Sequence, residues 1–264
     1  MTLYRASDTN WLDHLFRNCL TAYQETIREP SRRETLCCLA DTSSHLELFV
    51  RHYDTIEDPS INTDDEILNW VFSEVPADLS SALWLLTCGF YKASAASLRN
   101  ALDISVASLY FQIRENEQPP GSGYNEYFSD WDKGRRQTPN WGETKPLIKH
   151  QPAVVRFLAT NGIDVVELVY EHFRYLCAYT HTAAFAANGD PVTAINTTGS
   201  APAFDERYFD RGCELMLKTM SYIAILWQIT FPEIVDKCPL GPLDSNAYDA
   251  LFPGPLGSLA LAHR

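Results

Sequence analysis

Positive charge is scarce in this chain. Lysine and arginine number 21 against 34 aspartates and glutamates, a net charge of −13 over 264 residues. Such a chain is repelled by phosphate backbones and anionic membranes unless its basic residues are gathered locally. Non-specific nucleic-acid binding is excluded on this ground, while a local, specific contact with RNA is not. Metal motifs are also missing. No CxxC pair and no HExxH occurs, so neither a metal site nor a cofactor is expected. The seven cysteines are odd in number, and most lie within apolar helical patterns. They suit free thiols filling a core in a reducing compartment. The start, MTLYRASDTNWLDHLF, has neither the basic region nor the apolar run of a secretory signal, and the expected location is the cytoplasm. Long hydrophobic runs are lacking too. LSSALWLLTCGF soon reaches Lys92, Arg99 and Asp103, and LMLKTMSYIAILWQITF carries Lys218 and falls short of the roughly 20 apolar residues of a span. Both read as buried core helices, and no membrane contact is expected. There is no β-rich block and no internal repeat.

What is present is helix. Hydrophobic residues make up 45% of the chain, with six Trp, thirteen Tyr and thirteen Phe, enough for a sizeable core. Trp11, Leu12, Leu15, Phe16, Cys19, Leu20, Tyr23 and Ile27 recur at helical spacing and predict a helix from Thr9 to Arg28. Ser31 and Glu34 have capping-box spacing and start a second helix after Pro30. Thr63 and Glu66 repeat the signal, opening a short helix that Pro76 closes. Asp78 then caps a long central helix from Leu79 to about Arg114. A short helix is expected within YNEYFSDWDKGRR, and Pro139, Pro146 and Pro152 break the stretch after it. A helix from Ala153 ends at Asn161-Gly162, a left-handed cap. Asp164 and Glu167 launch the next helix, which Asn188-Gly189-Asp190-Pro191 stops. A last helix spans about Asp205 to Phe231. The expectation is an all-α bundle with long central helices, a single domain over 1–238, and a Pro/Gly-rich tail over 239–264.

Three groups of residues could carry function. In FRYLCAYTH, Arg174 and His181 are two helical turns apart. Seven residues rotate by about 700°, so both point the same way, with Glu171 and Ala178 on the same stripe. Arginine offers a phosphate a planar fork of donors, and histidine moves protons near neutral pH. The set suits phosphate chemistry without a metal, with the RNA 2′-hydroxyl as the neighbouring nucleophile. The alternative is that Glu171 pairs with Arg174 and His181 is an interior histidine. Second, Arg99 lies amid Ala96, Leu98, Ala101, Leu102 and Ile104. It must find a partner or snorkel, and Asp103, four residues on, is placed to pair with it, giving a structural or accessory role. Third, Lys133, Arg135 and Arg136 in WDKGRR are interleaved with Trp131, Trp141, Tyr124, Tyr127 and Phe128. This is a pattern that can hold RNA by charge and stacking, or an ordinary solvated loop.

GFYKASAASLRNALDISVASLYF, with FRYLCAYTH later in the chain, resembles a group of bacterial helical proteins related to the HEPN superfamily. In that group a long helix carries an arginine with an acid four residues on. A later helix reads aromatic, arginine, any residue, leucine, serine, then histidine four on, with Cys177 here in place of the serine. HEPN ribonucleases carry an arginine and a histidine separated by four to six residues, as Arg174 and His181 are. The resemblance covers about a quarter of the chain. It implies an all-α HEPN-like fold and metal-independent RNA cleavage in antiviral defence or toxin–antitoxin systems. In that activity His181 is the general acid or base, Arg174 holds the phosphate and Glu171 orients one of them. It also implies homodimers with the motif at the interface and a protein partner from the same system. The alternative function is a non-catalytic regulator, antitoxin or scaffold that keeps the fold and acts through protein contacts.

Overall fold

A computed structural model describes residues 9–53, 66–117, 126–180 and 202–230. These form nine α-helices and, among the described residues, no strand. The helices are α1 (Thr9–Arg28), α2 (Pro30–Tyr53), α3 (Glu66–Thr87), α4 (Tyr91–Asn116), α5 (Glu126–Asp132), α6 (Trp141–Lys149), α7 (Pro152–Asn161), α8 (Val165–Thr180) and α9 (Glu206–Thr230). The fold class is all-α. The expected capping box at Thr63, the helix stop at Asn188 and the tail over 239–264 lie outside the described residues. No described helix is long and apolar enough to cross a membrane.

The centre is α4. It packs most extensively on α3, then on α9 and α8, with α6 and α5 along its far half. Leu98, Ala101, Leu102 and Phe111 of α4 are buried among Val75, Leu79, Ala82 and Leu86 of α3 and Met216, Met220 and Ile223 of α9. At about 1.5–3 kcal/mol for each large apolar side chain taken from water, this cluster dominates the driving force.

The long central helix expected from Leu79 to Arg114 is instead two helices, and the break falls at Gly89. α3 runs straight through Pro76. A proline inside a helix loses one backbone bond, but Val75 and Leu79 on either side are fully buried, and that packing outweighs the propensity. The chain turns where Gly89 takes φ +78, left-handed, with Ser94 Oγ donating to Ala82 O at 2.8 Å across the hairpin. A Cβ on Gly89 would lie 2.7 Å from Ala203 O. Asp78 is therefore no cap. It sits inside α3 against Asn100 of α4, and burial raises its carboxyl above the usual range. Pro146 likewise lies inside α6 rather than ending it. Pro30 opens α2 in the first turn, where its missing N–H costs nothing, so Ser31 is inside the helix and not at its cap.

Other ends obey the local rules. Gly162 closes α7 at φ 68. Asn140 caps α6, its side chain accepting from Glu143 N. Arg32 of α2 serves the end of α1, its Nη2 donating to Glu25 O at 2.9 Å and its Nε to Thr26 O at 3.2 Å. These are carbonyls that a helix terminus leaves without partners. The same guanidinium lies 4.4 Å from the Phe204 ring centroid, which ties the approach to α9.

Candidate functional site

Helix α8 carries most of FRYLCAYTH, and its start is held firmly. Asp164 Oδ1 accepts from Glu167 N at 3.0 Å, as the capping spacing requires. Lys149 of α6 lies 2.6 Å from Asp164 and 3.1 Å from Glu167, and Lys145 lies 2.7 Å from Glu167. From there α8 presents three faces.

The first face docks on α4. Leu176 is fully buried, and Phe173 and Cys177 meet Arg99. Arg99 Nη2 lies 3.1 Å from Asp103 Oδ2, its guanidinium 5.4 Å from the Phe173 ring centroid. Trp141 of α6 covers the other side of Phe173 at 5.2 Å between centroids. The expected Arg99–Asp103 pair is thus present, and it joins the two motif segments. Its environment is partly shielded, with the Arg99 and Asp103 side chains 31% and 29% exposed. Burial pushes Asp103 up to about 6 despite the opposing charge of Arg99. The Trp141 indole approaches Asp103 but stops short of a formed hydrogen bond, and both its Nε1 and Arg99 Nε are buried without one.

The second face forms a groove of about 460 Å³ against α9, lined on the α8 side by Glu171, His172 and Tyr175 and on the α9 side by Arg211, Glu214 and Lys218. His172 is only 3% exposed. Its Nε2 lies 2.8 Å from Thr219 Oγ1, whose own hydrogen goes to Leu215 O, so the ring nitrogen is the donor. Burial, with the Lys218 and Arg211 charges, pushes this histidine down to about 3, so it is neutral at physiological pH. Arg211 Nε donates to Tyr175 Oη at 3.3 Å, Tyr179 Oη donates to the same oxygen at 3.0 Å, and Arg211 Nη1 reaches Glu214 at 2.7 Å.

The third face is exposed and carries Arg174, its guanidinium 6.0 Å from the Tyr170 ring centroid. Among the described residues no ion pair joins it to Glu171, which is exposed and turned toward the groove. Ala178, expected on the same stripe, is 9% exposed and packs inward. His181 lies outside the described residues.

The basic loop stands apart. Lys133, Arg135 and Arg136 are exposed, and each has a neighbour on or beside α5. Lys133 Nζ donates to Ser129 Oγ at 2.6 Å, Arg135 lies 3.6 Å from Asp130, and Arg136 sits 4.3 Å over the Tyr127 ring. The aromatics meant to stack on bases are used by the protein. Trp131 packs with Trp70, Phe111 and Phe128, and Trp141 with Tyr170 and Phe173. The loop rests at Phe111 and α8 at Arg99, twelve residues or about 18 Å apart along α4. The structure does not bring these two sets together.

Sequence reasoning missed the groove. His172 adjoins the quoted motif, but Arg211, Thr219 and Lys218 come from a helix some forty residues on, and no local pattern announces that pairing. Among the described residues no group of His, Cys, Asp or Glu is arranged to hold a metal ion. Comparison with protein-family models, with curated proteins and with solved structures gives no match.

Proposed function

We propose that this chain is a metal-independent endoribonuclease of HEPN-like type, working in a defence or toxin–antitoxin system. The observation that carries this reading is the convergence of the two motif segments. Arg99 and Asp103 of α4 lock onto Phe173 and Cys177 of α8, and this docking leaves Arg174 exposed, with no acid paired to it among the described residues. A fixed helix bearing an exposed guanidinium is what bidentate phosphate binding needs. In this reaction the 2′-hydroxyl attacks the adjacent phosphorus and loses its proton to His181. The 5′-oxygen leaves, taking a proton from water, and a 2′,3′-cyclic phosphate remains. Arg174 holds the non-bridging oxygens. Glu171 lines the groove and in this reading orients His181 rather than Arg174.

The test is incubation of purified protein with mixed RNA in the presence of chelator, with and without the products of neighbouring genes. Wild type should cleave. His181→Ala should lose about 10²- to 10⁴-fold in rate with its helical spectrum unchanged, and Arg174→Lys should also fail because a point charge does not reproduce the fork. Equal behaviour of wild type and His181→Ala defeats the proposal. The second reading, a non-catalytic regulator or antitoxin acting through protein contacts, then takes its place. Two observations favour it: the groove histidine is neutral, and the basic loop is remote from α8.

A further inference from the structure

Helix α1 buries only Ala22 and Thr26 of its described side chains, both near its C-terminal end. Thr26 Oγ1 donates to Thr87 O at 3.1 Å, which anchors that end to α3. Along the preceding turns Leu12, Phe16 and Leu20 are 48%, 68% and 56% exposed. They recur every four residues, so they form one stripe. Trp84 of α3, 63% exposed and 6.2 Å from Tyr23, continues the apolar surface past Leu20. At on the order of 200 Å² for each such side chain, the four leave roughly 500 Å² of apolar surface open to water. That is near the top of what single chains carry, and patches of this size often serve contacts.

We propose that this stripe is a self-association surface, and that two copies of the chain pair through α1 in antiparallel fashion about a two-fold axis at Phe16. The stripe is self-complementary in that arrangement. Leu12 and Leu20 lie four residues either side of Phe16, so Leu12 of each copy meets Leu20 of the other. The charges fit as well. Asp13 and Arg17 lie on the same flank, roughly 60° and 100° round the helix from Phe16. Asp13 is three residues before the axis and Arg17 one after. Inverting the second copy brings its Arg17 within two residues, about 3 Å along the axis, of the first copy's Asp13. In a parallel pair the two flanks fall on opposite sides of the seam, so Asp13 and Arg17 of one copy would face Leu15 and Cys19 of the other and find no opposite charge. Opposite charges at the rim fix register more than affinity, and two such patches bury on the order of 1,000 Å², close to the lower bound of a specific interface. The inference rests on the α1 stripe with Trp84 of α3 and is independent of the ribonuclease reading.

The test is light scattering or sedimentation equilibrium on the full chain. Wild type should show twice the chain mass at micromolar concentration. Phe16→Asp should weaken the dimer at least a hundredfold while leaving the helical spectrum intact, since Phe16 is not part of the core. Asp13→Arg should weaken it through like charges across the axis, and the double variant Asp13→Arg with Arg17→Asp should restore it. A wild type that stays monomeric up to about 100 μM overturns the proposal. So does a dimer indifferent to Phe16→Asp, which would place self-association elsewhere. A dimer that loses mass with Phe16→Asp but ignores the charge swap overturns the antiparallel register.

Discussion

Asp103 offers a sharp test of how the motif helices are held. Its carboxylate is drawn in two directions. Burial disfavours the charge, and Arg99 at 3.1 Å favours it. Burial wins, lifting the group from the ordinary 3.8 to about 6. Two pK units at 1.36 kcal/mol each amount to about 3 kcal/mol. The sign comes from linkage. The folded-state value lies above the unfolded one, so the stability this group contributes is fully present below about pH 4 and is lost as pH rises through 6. Urea denaturation of wild type and Asp103→Asn across pH 3.5 to 7 isolates the effect. The wild-type advantage over the variant should shrink by about 2–3 kcal/mol as pH rises. A difference that stays flat, or grows with pH, would show that Arg99 governs the carboxylate and that this region is wetter than described. Arg99→Ala gives a companion result. At pH 7 it should cost on the order of 1–3 kcal/mol by stranding a charge in a partly shielded site. At pH 5 it should cost clearly less, because Asp103 is by then mostly protonated and there is little ion pair to lose.

Two further expectations use other parts of the fold. Gly89→Ala should lower stability by about 2–4 kcal/mol in chemical denaturation, through the left-handed backbone and the 2.7 Å approach to Ala203 O; a change under about 0.5 kcal/mol would contradict the tight turn. His172, held at about 3 when folded against an ordinary 6.5, acts with the opposite sign to Asp103: its stability is present above 6.5 and is lost as pH falls toward 3. His172→Gln should therefore flatten the loss between pH 7 and 4 by on the order of 3 kcal/mol, and an unchanged acid limb would mean that the ring reaches water.

Much of this fold was legible because helices announce themselves locally. The periodicity from Trp11 to Ile27 gave α1 with the observed limits, and the last helix, expected from Asp205, begins at Glu206 and is described to Thr230. Gly162 and Asp164 marked their ends because cap chemistry is carried by one or two residues. Pro76 misled. A proline's local cost is visible in sequence, while the burial of Val75 and Leu79 that overrides it is set by α4 and α9. Gly89 looked like one glycine among many until Ala203 came down beside it. At the candidate site, Arg99 and Asp103 were readable because four residues place them on one face. Their closure on Phe173 and Trp141 was not, since it depends on α6 and α8 arriving from elsewhere. The groove stayed hidden for the same reason.

The turn at residues 88–90 also bears on how the chain finds this structure. It joins the two helices with the most extensive mutual contact in the fold. Ser94 and Ala82 meet from only twelve positions apart in sequence, so closing that loop costs little chain entropy. Trp227 and Phe72, packed edge to face at 5.3 Å, must be brought together from 155 positions apart in sequence. The α3–α4 hairpin is therefore the natural nucleus, an apolar platform onto which α9 condenses later. Substitutions at the hairpin should slow folding, and those at Trp227 should mainly hasten unfolding. Equal effects of both on the folding rate would argue for a transition state spread over the whole bundle.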